Sequence, residues 1–385
     1  MARGVLLTGP GSYTSMLEQA LRSSDRLQAV IDYYPEWSMR LKEGAPKRIR
    51  AYRWGVQGMW ALWRRIPRWG KQENPRTWHF SLYDILAMWH LPKTDFLWAW
   101  SGTSLYTLRK AQRLGVPTFL EFPTVHPQIW DKVAQSEYSY FPRNAGRFAI
   151  WPQSLLRRIE AEIAIADHIQ VLSSFVLEGM VGEGVPREKI HVLPLGIEID
   201  RFFPSSHKDK NIFRLLYVGR IDPLKGIRYL LEAWVQLRLP YAELWLVGPV
   251  VDEMKPILAQ YEGSFRYMGS YERSQLPEIY RKANAFVFPT LMDSFGLVLL
   301  EAMASGLPVV ATTHSAAPDI ITEGKEGFLI PPGEIQSIMN AIETLYRRPE
   351  QAQEMACAAR RRVEEAYTFD HYVNRVQSHL ERYGL

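Results

Sequence analysis

The sequence predicts an α/β protein of two parallel-sheet halves, and three observations carry that expectation. Apolar runs of strand length alternate with helical stretches along most of the chain. At 385 residues the chain exceeds the size at which a single core stops growing, about 250–300 residues. A polar, proline-bearing and charged stretch from Gly196 to Asn211 reads as a linker, and a new strand-helix cycle begins after it.

In the first half, Val5 to Thr8 reads as a strand, Gly9-Pro10-Gly11-Ser12 as a turn and Ser15 to Leu21 as a helix. Gly9 and Gly11 lack the third glycine of a dinucleotide fingerprint, which argues against NAD. The loop is either a tight βα turn or a place where backbone N–H groups approach a phosphate or an acceptor. Phe96 to Trp100 and Thr118 to Glu121 read as further strands, joined by a helix from Ser104 to Leu114. The second of them runs into Phe122-Pro123-Thr124-Val125-His126-Pro127, just past a strand's carboxyl end, where open α/β sheets place their chemistry. His126 there reads as facing a cleft or as a surface histidine held by prolines. Trp151 to Ala166 is helical, and the strands His168 to Leu172 and Ile190 to Pro194 close a first domain near Leu195.

The second half repeats the pattern. Phe213 to Val218 is a strand, followed by Gly219-Arg220-Ile221-Asp222-Pro223-Leu224-Lys225-Gly226 and a helix from Ile227 to Leu237. Strands follow at Leu244 to Val247, before Gly248, and at Phe265 to Met268, before Gly269; a helix from Gln275 to Ala283 comes next. Phe286 onward is a strand, Phe295-Gly296 a turn, Leu297 to Ala304 a helix and Leu307 to Ala311 the next strand. The stretch Ser337 to Tyr383 reads as helical throughout.

Two constellations in this half suit chemistry. Arg220 and Lys225 flank a glycine-bearing strand-to-helix loop, which joins two cations to free helix N–H groups and suits a diphosphate. Asp293 and Glu301 stand eight residues apart across the turn, where carboxylates are good acceptors for sugar or ribose hydroxyls. Glu301 sits among Leu299, Leu300, Ala302 and Met303, so as a buried acid it needs a partner. The chain has no Asp-x-Asp pair and no His/Cys/acid spacing of a metal site, so neither a metal nor another cofactor is expected.

Composition bounds the rest. Hydrophobic residues at 47% and charged ones at 23% are ordinary for a globular chain, and the spread charge of +5 does not argue for nucleic acid. The single cysteine, Cys357, excludes an internal disulfide, fits a reducing cytosol and reads as a small buried residue. No signal peptide and no span of about 20 apolar residues is evident, so a cytoplasmic protein is expected. From Arg40 to Arg76 the chain carries eleven Lys or Arg against two acids, interleaved with Trp54, Trp60, Trp63 and Trp69. This segment suits an anionic membrane surface, which would make the protein peripheral on the inner face of a membrane; a solvated helix whose tryptophans pack on the domain is the alternative.

The run Gly219-Arg220 to Lys225-Gly226, with Asp293 to Ala311, resembles the retaining glycosyltransferases of the GT4 family. Leu193 to Phe202 and Gly324 to Gly333 are also similar to that family's segments, and the likeness is specific over residues 160–335. The resemblance implies a GT-B architecture: an acceptor-binding Rossmann-like domain at 1–195, a nucleotide-sugar-binding one at 196–366, and a helix at 367–385 packing back on the first. It implies transfer of a sugar from a nucleotide-diphosphate donor to a carbohydrate, lipid or small-metabolite hydroxyl, without a metal. The implied catalytic residues are His126, Arg220, Lys225 and Asp293. The implied donor-binding residues are Gly11, Gly219, Arg220, Lys225, Gly248, Tyr271, Asp293, Phe295, Gly296, Leu297, Val298 and Glu301. The family usually has Glu where this chain has Asp293, a side chain one methylene longer, which bears on the choice of donor sugar. A competing expectation is a catalytically inactive GT-B module anchored by its basic Trp-rich segment.

Overall fold

Short runs of apolar residues bounded by glycine and polar turns give strands buried on both faces, as parallel sheets require. The computed structural model describes residues 2–8, 13–31, 47–49, 75–141, 151–205 and 211–385. Among them, β1 (Gly4–Leu7), β2 (Leu27–Ile31), β3 (Lys47–Ile49), β4 (Phe96–Trp100), β5 (Thr118–Glu121), β6 (His168–Val171) and β7 (Ile190–Val192) form one sheet in the order β3-β2-β1-β4-β5-β6-β7. A second sheet holds β8 (Phe213–Val218), β9 (Ala242–Val247), β10 (Arg266–Gly269), β11 (Ala285–Phe288), β12 (Val309–Thr312) and β13 (Gly327–Ile330), in the order β10-β9-β8-β11-β12-β13. Neighbouring strands are parallel in both. Each order reverses direction at its centre, so each sheet has a crevice at the carboxyl end of its first strand. Together they make the two-domain α/β GT-B fold.

The two-residue period of the strands divides the core of the second domain. Leu216, Val218, Phe286 and Phe288 pack on one face, with the helices Leu297–Ala304 and Pro349–Ala366. Leu215, Tyr217, Ala285 and Val287 pack on the other, with Ile227–Leu237 and Ile335–Arg347. In the first domain, Glu121 at the end of β5 is buried and accepts hydrogen bonds from the Trp98 indole (2.9 Å) and the Tyr13 hydroxyl (3.0 Å). Burial pushes its carboxyl up to about 7, against the pull of those two donors.

Several expectations are corrected. The C-terminal stretch is three helices, Ile335–Arg347, Pro349–Ala366 and Phe369–Glu381. Arg348 precedes a proline, which disfavours helical backbone there. Thr368 caps the last helix and pairs with Ile197: the Ile197 N–H donates to Tyr367 O (2.9 Å) and the Phe369 N–H to Ile197 O (2.8 Å). The linker is therefore not simply solvated, and Ile197 and Phe202 within it are buried. The last helix lies on the first domain's Thr14–Ser23 helix, burying Tyr372, Val376 and Leu380 with Leu17 and Leu21. Cys357 is exposed, because Ala356 and Ala359 occupy the buried face of its helix instead. Within the basic segment, residues 47–49 are an edge strand rather than helix; the tryptophans from Trp54 to Trp69 lie outside the described residues. Among the described residues no helix is long and apolar enough to cross a membrane.

The domains meet through side chains from both. Leu224 and Met292, from loops of the second domain, are buried in the first domain's cluster with Phe122 and Val125. The Ser173 hydroxyl donates to Ser294 O (2.7 Å). Glu137 is buried at the end of the helix Pro127–Tyr138, accepting from the Tyr229 hydroxyl (2.8 Å) and the Arg228 guanidinium (3.3 Å) across the boundary.

Candidate functional site

The site is built where the second sheet changes direction, at the carboxyl ends of β8 and β11. After β8 the chain runs through Gly219 and Arg220 to Asp222, which caps the short turn Pro223–Lys225. The Asp222 carboxylate accepts from the Leu224 N–H (3.0 Å) and from Arg220 Nε (2.8 Å), so one acid both starts the turn and orients the guanidinium. Pro223 at the first position presets the backbone. Gly226 then turns with φ 67° into the helix Ile227–Leu237. A Cβ there would stand 1.9 Å from Pro289 O, so only glycine fits. Gly226→Ala is expected to separate the two loops of the site, costing about 2–4 kcal/mol in denaturant unfolding through strain and steric clash, with nucleoside diphosphate affinity lost by calorimetry. Unchanged affinity would show that the close approach is dispensable.

The loop after β11 is stitched to the first: Leu291 N–H donates to Leu224 O (2.9 Å), and the Thr290 hydroxyl donates to the same oxygen (3.2 Å). Asp293 follows. Its Oδ2 accepts from Lys225 Nζ at 2.6 Å, and its Oδ1 caps the Phe295 N–H at 3.0 Å. Gly296, at φ 85°, begins the helix Leu297–Ala304. Among the described residues the N–H groups of Gly296, Leu297 and Val298 have no protein partner, so the helix start presents free donors beside the Lys225–Asp293 pair. Burial acts to lower the Lys225 pKa, but the carboxylates of Asp293 and Asp222 outweigh it and the ammonium is held above its usual value.

Asp293 and Glu301 play different parts. Glu301, buried at 3% exposure, accepts from the Tyr280 hydroxyl (3.0 Å) and lies 3.5 Å from Arg273. Burial raises its pKa, with the Arg273 charge and the Tyr280 bond opposing. No hydrogen bond joins it to the Lys225–Asp293 pair among the described residues. Gly219, Gly248 and Gly269 tie the strand ends together, through Gly219 N–H to Val247 O and Gly248 N–H to Gly269 O, each 2.9 Å. Tyr271 stands half-buried two residues past β10. His126 is buried, not a surface residue, and caps the helix Pro127–Tyr138 by accepting from the Gln128 N–H through Nδ1 (3.4 Å). Burial lowers its pKa, which favours a neutral ring with its proton on Nε2. That helix packs on the Pro223–Lys225 turn, and Leu224 of the turn is buried in one cluster with Phe122 and Val125 of the first domain. Gly11 lies outside the described residues. Among those described, no three His, Cys, Asp or Glu side chains come together as a metal site.

Four contributors were not legible beforehand: Asp222, Tyr280, Arg273 and Glu137. Only Asp222 had a local signal, an acid directly before proline at a turn. The others meet their partners through tertiary packing.

Two open parallel sheets with paired cations at the second sheet's switch point define a GT-B protein with a nucleotide-type crevice. Residues 198–362 match the family described as glycosyl transferases group 1, and over that stretch the chain is similar to these GT4-type glycosyltransferases. It is 27% identical over 271 residues to the sulfoquinovosyl transferase SQD2 of Arabidopsis thaliana, covering 66% of this chain and 50% of that protein. It is 30% identical over 267 residues to a GDP-mannose-dependent alpha-mannosyltransferase of Mycobacterium tuberculosis, covering 66% and 64%. The chain thus spans about half to two thirds of these relatives' length. Among solved structures it is similar to sucrose-phosphate synthase from Thermosynechococcus elongatus, with a TM-score of 0.74 at 18% identity over 99% of both chains. Anabaena HepE in complex with UDP and glucose gives a TM-score of 0.68 at 17% identity over 99% and 100%. At these identities the structural likeness shows the fold.

Proposed function

We propose that the chain is an enzyme that moves a sugar from a nucleotide-diphosphate donor to an acceptor hydroxyl, retaining the sugar's configuration and using no metal. The observation that carries this reading is the Lys225–Asp293 pair at 2.6 Å, set beside Arg220 and the free N–H groups of Gly296 to Val298. These groups suit a diphosphate leaving group, whose growing charge Arg220 and Lys225 would neutralise. Asp293, anchored on Lys225, would present its carboxylate edge to the donor sugar, and Glu301 would take the ribose hydroxyls. His126, on the other domain, would face the transferred sugar. The relatives' names, a sulfoquinovosyl transferase and a mannosyltransferase, and a neighbour solved with UDP and glucose, support sugar transfer from a nucleotide donor. The acceptor class we assign is a carbohydrate, a lipid or a small metabolite. The basic Trp-rich composition of residues 40–76 supports peripheral placement on the cytoplasmic face of an anionic membrane.

The test is a panel of UDP-, GDP- and ADP-sugars read as nucleoside diphosphate release, which needs no acceptor. One donor is expected to turn over, undiminished by EDTA, and NMR of the product is expected to show the donor's anomeric configuration. Inverted product would overturn retention, and loss with EDTA would overturn metal independence. Failure to bind any nucleoside diphosphate by calorimetry would point instead to an inactive GT-B module.

A further inference from the structure

Away from the candidate site, a cleft of about 610 Å³ lies between β7 and the last helix, Phe369–Glu381. Its lining is one-signed. Arg187, Arg375 and Arg382 contribute cations, His191, His371 and His379 contribute imidazoles, and no Asp or Glu lines it. The helix supplies His371, Asn374, Arg375, Ser378 and His379, and its C-cap Arg382, at the three- and four-residue spacing of a single face. Arg375 is anchored by carbonyls, donating to Ala366 O (2.7 Å) and Pro194 O (3.2 Å), so its charge is fixed in place without a counter-ion. Arg187 and Arg382 form no ion pair among the described residues and are exposed toward solvent.

The floor adds an unmet donor. His379 is 2% exposed, and its Nε2 lies 3.1 Å from the Gln170 side-chain amide nitrogen. An amide nitrogen only donates, so with the amide as assigned Nε2 accepts and the ring proton sits on Nδ1. That Nδ1 has no partner. Burial, then His191, His168 and Arg382, pushes the His379 pKa down to about 3, and burial with His168, Arg382 and Arg187 takes His191 down to about 4. Burial is the larger cause for both rings, and no carboxylate is among the charges that act on either.

We propose that this cleft binds a phosphate-class oxyanion, either a soluble phosphate or a phospholipid headgroup, between Arg187 of the first domain and Arg382 of the last helix. Phosphate oxygens match guanidinium geometry, and Asn374 and Ser378 add neutral donors on the rim. An anion there would bridge the last helix to the first domain's edge strand, and bound anion is expected to raise the melting temperature by mass action.

The experiment titrates inorganic phosphate into the full chain by calorimetry, using an Arg220→Ala/Lys225→Ala background so that the donor site does not contribute. Saturable heat is expected, absent with sodium chloride at matched ionic strength. Arg187→Ala/Arg382→Ala and, separately, Ser378→Glu are expected to weaken the Kd by about tenfold or more. Both alter exposed positions, and melting curves of the same samples verify that each is folded. No saturable heat in the background protein, or an unchanged Kd in both variants, would overturn the site. Cosedimentation with phosphatidylcholine vesicles containing phosphatidic acid, compared with phosphatidylcholine alone, separates the sources. Binding lost in Arg187→Ala/Arg382→Ala assigns a headgroup; phosphate heat without that loss assigns a soluble phosphate.

Discussion

Lys225→Ala is expected to lower kcat/KM for nucleoside diphosphate release by about 10²–10³-fold, the usual cost of removing one preorganised electrostatic group from a reacting centre. Two losses combine. The cation proposed to neutralise the leaving group disappears, and Asp293, which holds Lys225 Nζ at 2.6 Å, loses its partner. Asp293 would then stand as an unneutralised charge beside an anionic donor. Because the two side chains are bonded, Lys225→Ala/Asp293→Ala is expected to cost less than the product of the single effects. Lys225→Arg should rescue little, since a planar fork does not reproduce a point charge held in a partly buried loop. Near wild-type turnover of Lys225→Ala would sink the proposed role, and strictly multiplicative effects would show that the pair does not act as a unit.

The largest effect on stability is expected at Arg158, far from the cleft. Its guanidinium is buried between Asp84, to which Nη2 donates, and Glu162, 3.3 Å from Nε, and Nε also donates to Gly102 O (2.9 Å). The two acids tie other backbone: Asp84 accepts from Tyr106 N–H (2.7 Å) and Thr107 N–H (2.9 Å), and Glu162 accepts from Ser104 N–H (2.8 Å). Three helices and the turn after β4 therefore share one charge cluster. Arg158→Met keeps the packing but strands two buried carboxylates, which is expected to cost about 3–5 kcal/mol near pH 8.

The pH dependence of that loss has a definite sign. Burial raises the Glu162 pKa to about 7 despite Arg158, above its ordinary value of 4.5. The folded chain therefore holds this proton more tightly than the unfolded chain, and Glu162's contribution to stability falls as pH rises between those values. Removing Arg158 takes away the main charge lowering that pKa, so the deficit of Arg158→Met is expected to shrink toward pH 5, where Glu162 is neutral. Guanidinium unfolding at pH 5 and pH 8 measures both ends. A deficit below about 1 kcal/mol at pH 8, or one independent of pH, would contradict a charge cluster under strain from burial.

Residues close in sequence revealed most of what they do. The helices Ile227–Leu237 and Leu297–Ala304 fall on the bounds expected from their apolar pattern. The glycine-bearing turns with Arg220, Lys225 and Asp293 were recognisable because a strand, a turn and a helix start are specified within a few residues. The helix Pro127–Tyr138 was less legible, because its cap is a histidine rather than a usual capping residue. Cys357 failed for a different reason: an Ala-rich helix does not say which of its faces will be covered.

By itself, then, the sequence determined the alternation of strands and helices, the two-domain division and the cations and acids at the second sheet's edge, because each is encoded by local period and turn chemistry. Tertiary structure decided who meets whom. It set Lys225 against Asp293, 68 residues away, and Glu137 against Tyr229, 92 residues away, and it broke the C-terminal helical stretch where Thr368 pairs with Ile197. The physical reason is that such pairings depend on the faces that two sheets and their helices present once packed, and no short window of chain contains both partners.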